Sequence, residues 1–380
     1  MKTSTPFWKK RSRPLLLALA LSVAVTGCAR PYILEDLGMI LTAGYDLADD
    51  GRLLVTFTLP SIGEETGESR TLALTSKGSL SKEARENAGL STDRQVVSGQ
   101  MRVVVISEML ARKGCWHLLD TLMRDVNVTK TLVLCVSDGP AADLLKSKVP
   151  TRPSSGRYLY ELLRKSQKNY AVPKTSIQDF ERMYHDEGAD PMIPYVRLMN
   201  KTTIMAAGTA LFRNDKFVGS LSPEETKMML LLGGKGEGGD IKQSLHTKGQ
   251  DGKEDQVMLT FVTTKNKCKL ELKNGRVHAT YNVKVAGQVI EYSGDDDLTD
   301  DKVAKGVEKQ IQSGLETRMK DLIDQFQHKY HVDPLGLGTK IRAARLYDQP
   351  WTYDLWRKSY ENAVIDVNFE LRIIRTGITR

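Results

Sequence analysis

Cysteine is scarce in this chain, and no apolar run is long enough to cross a bilayer. Only four cysteines occur in 380 residues, namely Cys28, Cys115, Cys135 and Cys268. With Cys28 set aside for the reason below, three remain. Three permit at most one disulfide, so a disulfide scaffold is excluded. Spanning a bilayer takes about 20 apolar residues, and the run from Leu15 to Val25 has eleven, bounded by Pro14 and Gly27. Catalytic signatures are missing too: there is no G-x-S-x-G, no H-E-x-x-H and no cysteine with a recognisable companion motif. RNP and zinc-finger patterns are absent too, so none restores the case for nucleic acid that the body's small net charge, worked out below, removes. Together these absences favour binding or assembly over catalysis.

What the N-terminus does hold is a basic head with Lys9, Lys10, Arg11 and Arg13, then the apolar run, then Val25-Thr26-Gly27-Cys28. A charged head, a short apolar segment and small residues before a cut describe a secretory leader. Cysteine directly after the cut is the arrangement of a bacterial lipobox. Residues 1–27 are therefore expected to be a signal peptide, with Val25, Thr26 and Gly27 read by the processing enzyme and Cys28 the lipid attachment site. Each buried CH₂ contributes roughly 0.8 kcal/mol, so one acyl chain holds weakly and two hold durably. Of the formal charge of +8, five positive charges (Lys2, Lys9, Lys10, Arg11, Arg13) lie in the leader, which leaves +3 for the body. That mild excess suits the neighbourhood of an anionic lipid surface.

A chain beyond about 250–300 residues usually divides into domains, and the patterning predicts an α+β protein in three parts. Residues 28–152 read as a mixed α/β domain. A hairpin turns at Asp49-Asp50-Gly51, a strand covers Thr71–Thr75, and a helix ends at Gly89. Apolar strands at Val103–Ile106 and Thr131–Val136 alternate with helices, one of them running from a Ser107 cap to Gly114, which argues for a parallel pair. After the linker 150–156, residues 153–200 read as a small helical middle region, with a cap at Ser176 and Asp179 and chain breaks at Pro191 and Pro194.

Residues 201–380 read as an antiparallel sheet packed against a long helix. Two strands, Ile204–Phe212 and Lys216–Ser220, precede Ser222-Pro223-Glu224-Glu225, which has the capping serine, N1 proline and N3 glutamate of a helix start. The glycine-rich stretch to about Lys253 is expected to be a loop. Three alternating strands follow, the last two joined by an Asn274-Gly275 turn. Then Val303, Val307, Ile311, Leu315, Met319, Leu322, Phe326 and Tyr330 make one apolar stripe on a helix of about 30 residues, near 45 Å long. A closing strand covers Val364–Ile374.

Constellations that might carry chemistry read as structural. Gly234 to Gly239 matches G-x-G-x-x-G, but a helix comes before it and loop after it, the reverse of a dinucleotide site. His328 and His331 lack a third metal ligand at fixed spacing. Asp295, Asp296, Asp297, Asp300 and Asp301 lack the spacing of a calcium loop and suit a helix N-terminus. Cys115 and His117 are too close along one helix to form a working pair. No catalytic, cofactor or metal residue is assigned.

Four stretches in order resemble a known family. They are Ile33-Leu34-Glu35-Asp36-Leu37-Gly38 after the lipobox, Val104 to Gly114 with Leu119-Asp120 and Arg124-Asp125, Gly208 to Gly219, and Asp333 to Gly338 with Trp351, Trp356 and the 364–377 segment. The chain resembles the Ger(x)C lipoproteins, the C subunits of spore nutrient germinant receptors. Ala29-Arg30 stands where that family often has tryptophan after the cysteine. The resemblance implies a three-domain lipoprotein on the outer face of the inner spore membrane. Its partners would be a membrane-spanning A subunit and a transporter-like B subunit, and its role assembly or signal transmission. The alternative is a solute-binding lipoprotein of a transporter, which calls for two doubly wound lobes around a cleft and is disfavoured by the antiparallel hairpins.

Overall fold

Apolar strands that lie far apart in the sequence come together because each is buried on both faces. The computed structural model describes residues 36–62, 69–147, 155–234, 239–248, 254–347 and 350–376. The leader, the lipobox and Cys28 lie outside them. The core strands of the first sheet are β2 (Thr42–Leu47), β6 (Val103–Ser107) and β7 (Val133–Asp138), all parallel to one another. On one side β3 (Leu53–Ile62) and β4 (Ser69–Gly78) add antiparallel strands. On the other side come β8 (Met192–Asn200), β9 (Thr203–Arg213) and β10 (Lys216–Leu221), giving the order β10-β9-β8-β7-β6-β2-β3-β4. Short strands β1 (Leu37–Met39) and β5 (Gln95–Val97) form a separate ribbon.

Helices cover both faces of this sheet. Alternate residues of β6 and β7 point opposite ways: Val104, Ile106, Leu134 and Val136 enter one core, while Val103, Val105 and Cys135 enter the other. The first core takes α1 (Ser81–Gly89), α2 (Glu108–Lys113), α3 (Trp116–Arg124) and, through Ile177 and Phe180, α6 (Ile177–Tyr184). The second takes α4 (Ala141–Lys146) and, through Leu159 and Leu163, α5 (Ser155–Lys168). Local signals set the helix ends. Ser107 Oγ accepts from Leu110 N–H and α2 stops at Gly114 with φ 121°, and Ser176 and Asp179 close a full capping box on α6.

The boundaries expected at 152/153 and 200/201 therefore do not follow the sheets. Helices α5 and α6 lie on opposite faces of the N-terminal sheet instead of forming a unit of their own. Strands β9 and β10, expected in the third part, extend that same sheet. Pro194 does not break the chain: it sits within β8, opposite Thr209 of β9.

Helix α7 (Pro223–Leu232) leads from the first sheet to the second. Its capping box is the one read from Ser222 and Glu225. Thr226 bonds Thr209 of β9 at 2.8 Å, while Met228 to Leu232 enter the C-terminal core. There β11 (Asp240–Lys248), β12 (Glu254–Lys273), β13 (Arg276–Tyr292) and β14 (Val364–Thr376) pair in that order. The sheet differs from expectation in three respects. Part of the expected loop is β11; the first two alternating strands are one twenty-residue strand, β12, with register shifts near Phe261; and β14 runs parallel to β13, so the sheet is mixed. Asn274-Gly275 makes the predicted turn, both residues with φ positive.

Across this sheet lies α8 (Asp301–Asp324), continued by a wider π-type turn Gln325–Tyr330. Val307, Ile311, Leu315, Met319, Leu322 and Phe326 of the stripe are all buried. Polar residues of the helix also close the open edge of β14. Glu316 accepts the Phe369 N–H at 2.8 Å and Glu308 the Ile373 N–H at 2.7 Å. An edge strand whose amides are taken in this way is a poor template for aggregation. Helices α9 (Leu337–Ala343) and α10 (Tyr353–Glu361) complete the domain.

Candidate functional site

The residues with recognisable chemistry in the sequence do not gather into a reaction centre. Val25, Thr26, Gly27 and Cys28 lie outside the described residues. Cys115 is fully buried and burial pushes its thiol well up, while His117 is exposed, so no thiolate–imidazole pair forms. His328 Nδ1 meets Asp324 at 2.8 Å and His331 Nδ1 meets Glu361 at 3.2 Å, giving the two imidazoles separate partners. Asp300 caps α8, accepting from the Lys302 N–H at 2.7 Å. Gly234 follows α7 and strand β11 comes next, an arrangement without the helix N-terminus a dinucleotide needs.

What the fold does bring together are segments in and beside the second, third and fourth of the family-like stretches. The turn between β9 and β10 reaches the end of α2: Asp215 O accepts the Cys115 N–H at 3.1 Å and its Oδ2 the Trp116 N–H at 3.1 Å. Trp116 then stacks on Tyr184 at 4.0 Å between centroids. Gly219 of β10 lies under the Tyr330 ring, where a Cβ would come within 2.3 Å of the ring edge.

The densest meeting point joins the loop after α6 to the segment after the long helix. Asp190, 2% exposed, forms an ion pair with Arg357 of α10 and accepts the Asp333 N–H at 2.6 Å. Asp333, 1% exposed, takes the Gly338 N–H at 2.9 Å and the Trp356 indole N–H at 3.2 Å on one oxygen. Arg357 also donates to His331 O at 2.7 Å. A few residues away Asp186 accepts from Thr339 Oγ1 and Arg342, each at 2.9 Å. Gly188 and Gly338 touch backbone to backbone, since a Cβ on Gly188 would sit 2.3 Å from Thr339 N and 2.5 Å from Gly338 C.

Burial, with help from the Asp190 charge and against hydrogen bonds from the Gly338 and Leu337 amides, pushes the Asp333 carboxyl up to about 6. Its second oxygen has no partner among the described residues, nor do the buried Tyr360 hydroxyl and the Arg357 Nε–H. Buried polar groups of this kind are costly when unpaired and specify geometry when paired. The junction ties the two sheets together through a buried ion pair and hydrogen bonds.

Sequence reasoning placed Asp333, Gly338 and Trp356 in one stretch but missed Asp190 and Arg357. The available signal was an aspartate directly before Pro191, which reads equally well as a loop.

Two family models match, in order, nearly the whole chain. A spore germination protein N-terminal domain matches residues 31–198, and a spore germination B3/GerAC-like C-terminal domain matches residues 207–377. The seam between them falls at β8 and β9, inside the first sheet. Among curated relatives, spore germination protein GerQC of Bacillus cereus is 25% identical over 366 residues, 96% of this chain and 99% of the relative. Spore germination protein KC of Bacillus subtilis is 24% identical over 397 residues, 96% of each chain. The crystal structure of the GerBC protein has the same fold, with a TM-score of 0.57, 19% identity, 87% of this chain covered and 96% of that one.

Proposed function

The chain belongs to the GerAC/GerBC-like family of spore germination proteins, the C subunits, and from that premise we propose that it is the lipid-anchored C subunit of a spore nutrient germinant receptor. The observation that carries this reading is the end-to-end match to both family domains, in order and over the full length of the relatives. The Val25-Thr26-Gly27-Cys28 lipobox adds an anchor on the outer face of the inner spore membrane. A two-chain tether confines the body to the membrane plane and raises its effective concentration near membrane partners. Those partners are the A and B subunits of the receptor.

The role is assembly or signal transmission, without catalysis. A junction that ties two sheets together suits a body that passes on a change of shape. No helix among the described residues is long and apolar enough to cross a membrane, so in this reading Cys28 holds the protein at the membrane.

The test is Cys28→Ala in the spore. The variant protein is expected to fold and to lose its membrane fraction, and nutrient-triggered germination is expected to fall steeply. Normal germination with confirmed loss of lipid would refute the proposed dependence on the anchor.

A further inference from the structure

A cleft of about 820 Å³ opens between α5, the turn that follows it and α7. Its volume is that of a small-molecule site. One wall is a stripe of α5: Tyr160, Arg164 and Lys168 are spaced by four and share a face. Lys174 adds a third cation from the segment beyond. The one carboxylate in the lining, Asp179, is committed to its capping box, accepting from Ser176 N–H at 2.9 Å and Ser176 Oγ at 2.7 Å. None of the three cations is in an ion pair among the described residues. All three cations are exposed.

The turn itself supplies the second observation. Tyr170 holds φ at 55°, directly after α5, where Ala171 N–H returns to Ser166 O at 2.9 Å. That left-handed position after a helix is ordinarily glycine, and a bulky residue there is strained. Strain of this kind persists where the side chain is needed. The Tyr170 ring lines the cleft and packs against the C-terminal core.

We propose that this cleft binds a small organic anion with a planar or apolar body and at least two negative groups. Its charged oxygens meet Arg164, Lys168 and Lys174, and its body lies against Tyr160 and Tyr170. Arg164, already 6.0 Å over the Tyr160 ring, is suited to grip a carboxylate or phosphate with two parallel hydrogen bonds. Met192 at the start of β8 and Leu230 on α7 line the same cleft, so an occupant touches elements of both halves.

Calorimetric titration of the full chain in detergent tests this with benzene-1,3-dicarboxylate, its neutral dicarboxamide and inorganic phosphate. The dicarboxylate should bind saturably at one site, with the dicarboxamide at least about tenfold weaker and phosphate intermediate. Arg164→Gln and Lys174→Gln should each weaken the dicarboxylate about tenfold. Tyr170→Asn, which tolerates the same backbone conformation, should stay folded and lose dicarboxylate affinity while leaving phosphate unchanged. Equal binding of the dicarboxamide, or full affinity in folded Arg164→Gln, would overturn the proposal. So would absence of saturable binding by either anion.

Discussion

Replacing Asp190 with alanine should unlock the junction. The carboxylate is 2% exposed, and it both pairs with Arg357 and accepts the Asp333 N–H at 2.6 Å. Its removal leaves a guanidinium that is 12% exposed without its counter-charge, and breaking a buried pair from one side costs about 3–5 kcal/mol. Arg357→Met should cost a similar amount, because Asp190 is then the stranded charge. The double variant Asp190→Ala with Arg357→Met removes both charges and should recover about 2–3 kcal/mol of the summed losses, since a dry pair and its apolar replacement are often close in energy. Urea unfolding followed by tryptophan signals is the assay. Trp116 reports on the N-terminal core and Trp356 on the C-terminal one. Their transitions should coincide in the parent and separate in Asp190→Ala, with the C-terminal half unfolding first. Single replacements that each cost under about 1 kcal/mol, or losses that simply add, would refute the idea that this pair ties the halves.

Two further outcomes follow from the same region. With burial holding the Asp333 carboxyl at about 6 against 3.8 for an exposed one, the folded state binds the proton more tightly. This group therefore adds stability as pH falls from 7 through 6 towards 4, by at most about 3 kcal/mol. Asp333→Asn, which keeps an acceptor for the Gly338 amide, should flatten that part of the pH curve relative to the parent, and parallel curves from denaturant titrations at each pH would contradict the assignment. Gly188→Ala should cost at least about 2 kcal/mol because both atoms it meets are backbone, whereas Gly89→Ala, with nothing within 4 Å, should leave the melting temperature unchanged or slightly raised.

Local chemistry was legible in the sequence, and long-range pairing was not. Ser107, Ser176 and Ser222 each cap the helix expected of them, and Asn274-Gly275 makes its turn, because these signals act within four residues. The stripe from Val303 to Tyr330 likewise gave the long helix, although its last turn widens to π spacing. By contrast, nothing local to β9 and β10 says which sheet they join. They pair through β8 to β7, across a connection that contains α4, α5 and α6. Strand β12 reads as two pieces because the polar run Thr263-Thr264-Lys265-Asn266 lies beyond the reach of β11, where the strand is an edge. Strand β11 was hidden by its glycine-rich approach, despite alternating burial at Ile241, Gln243 and Leu245. Of the junction, Asp333 and Trp356 could be named in advance. Asp190 could not, since a buried aspartate acquires its meaning from a cation 167 residues away.

The most direct measurement is affinity isolation of the tagged protein from dormant-spore inner membrane in mild detergent, with co-purifying proteins identified by mass spectrometry. A receptor C subunit should bring with it a multi-span A subunit and a transporter-like B subunit in comparable amounts, and lose both when Cys28 is replaced. Recovery with an ATPase and permease of an uptake system, or alone from an intact membrane fraction, would contradict the account.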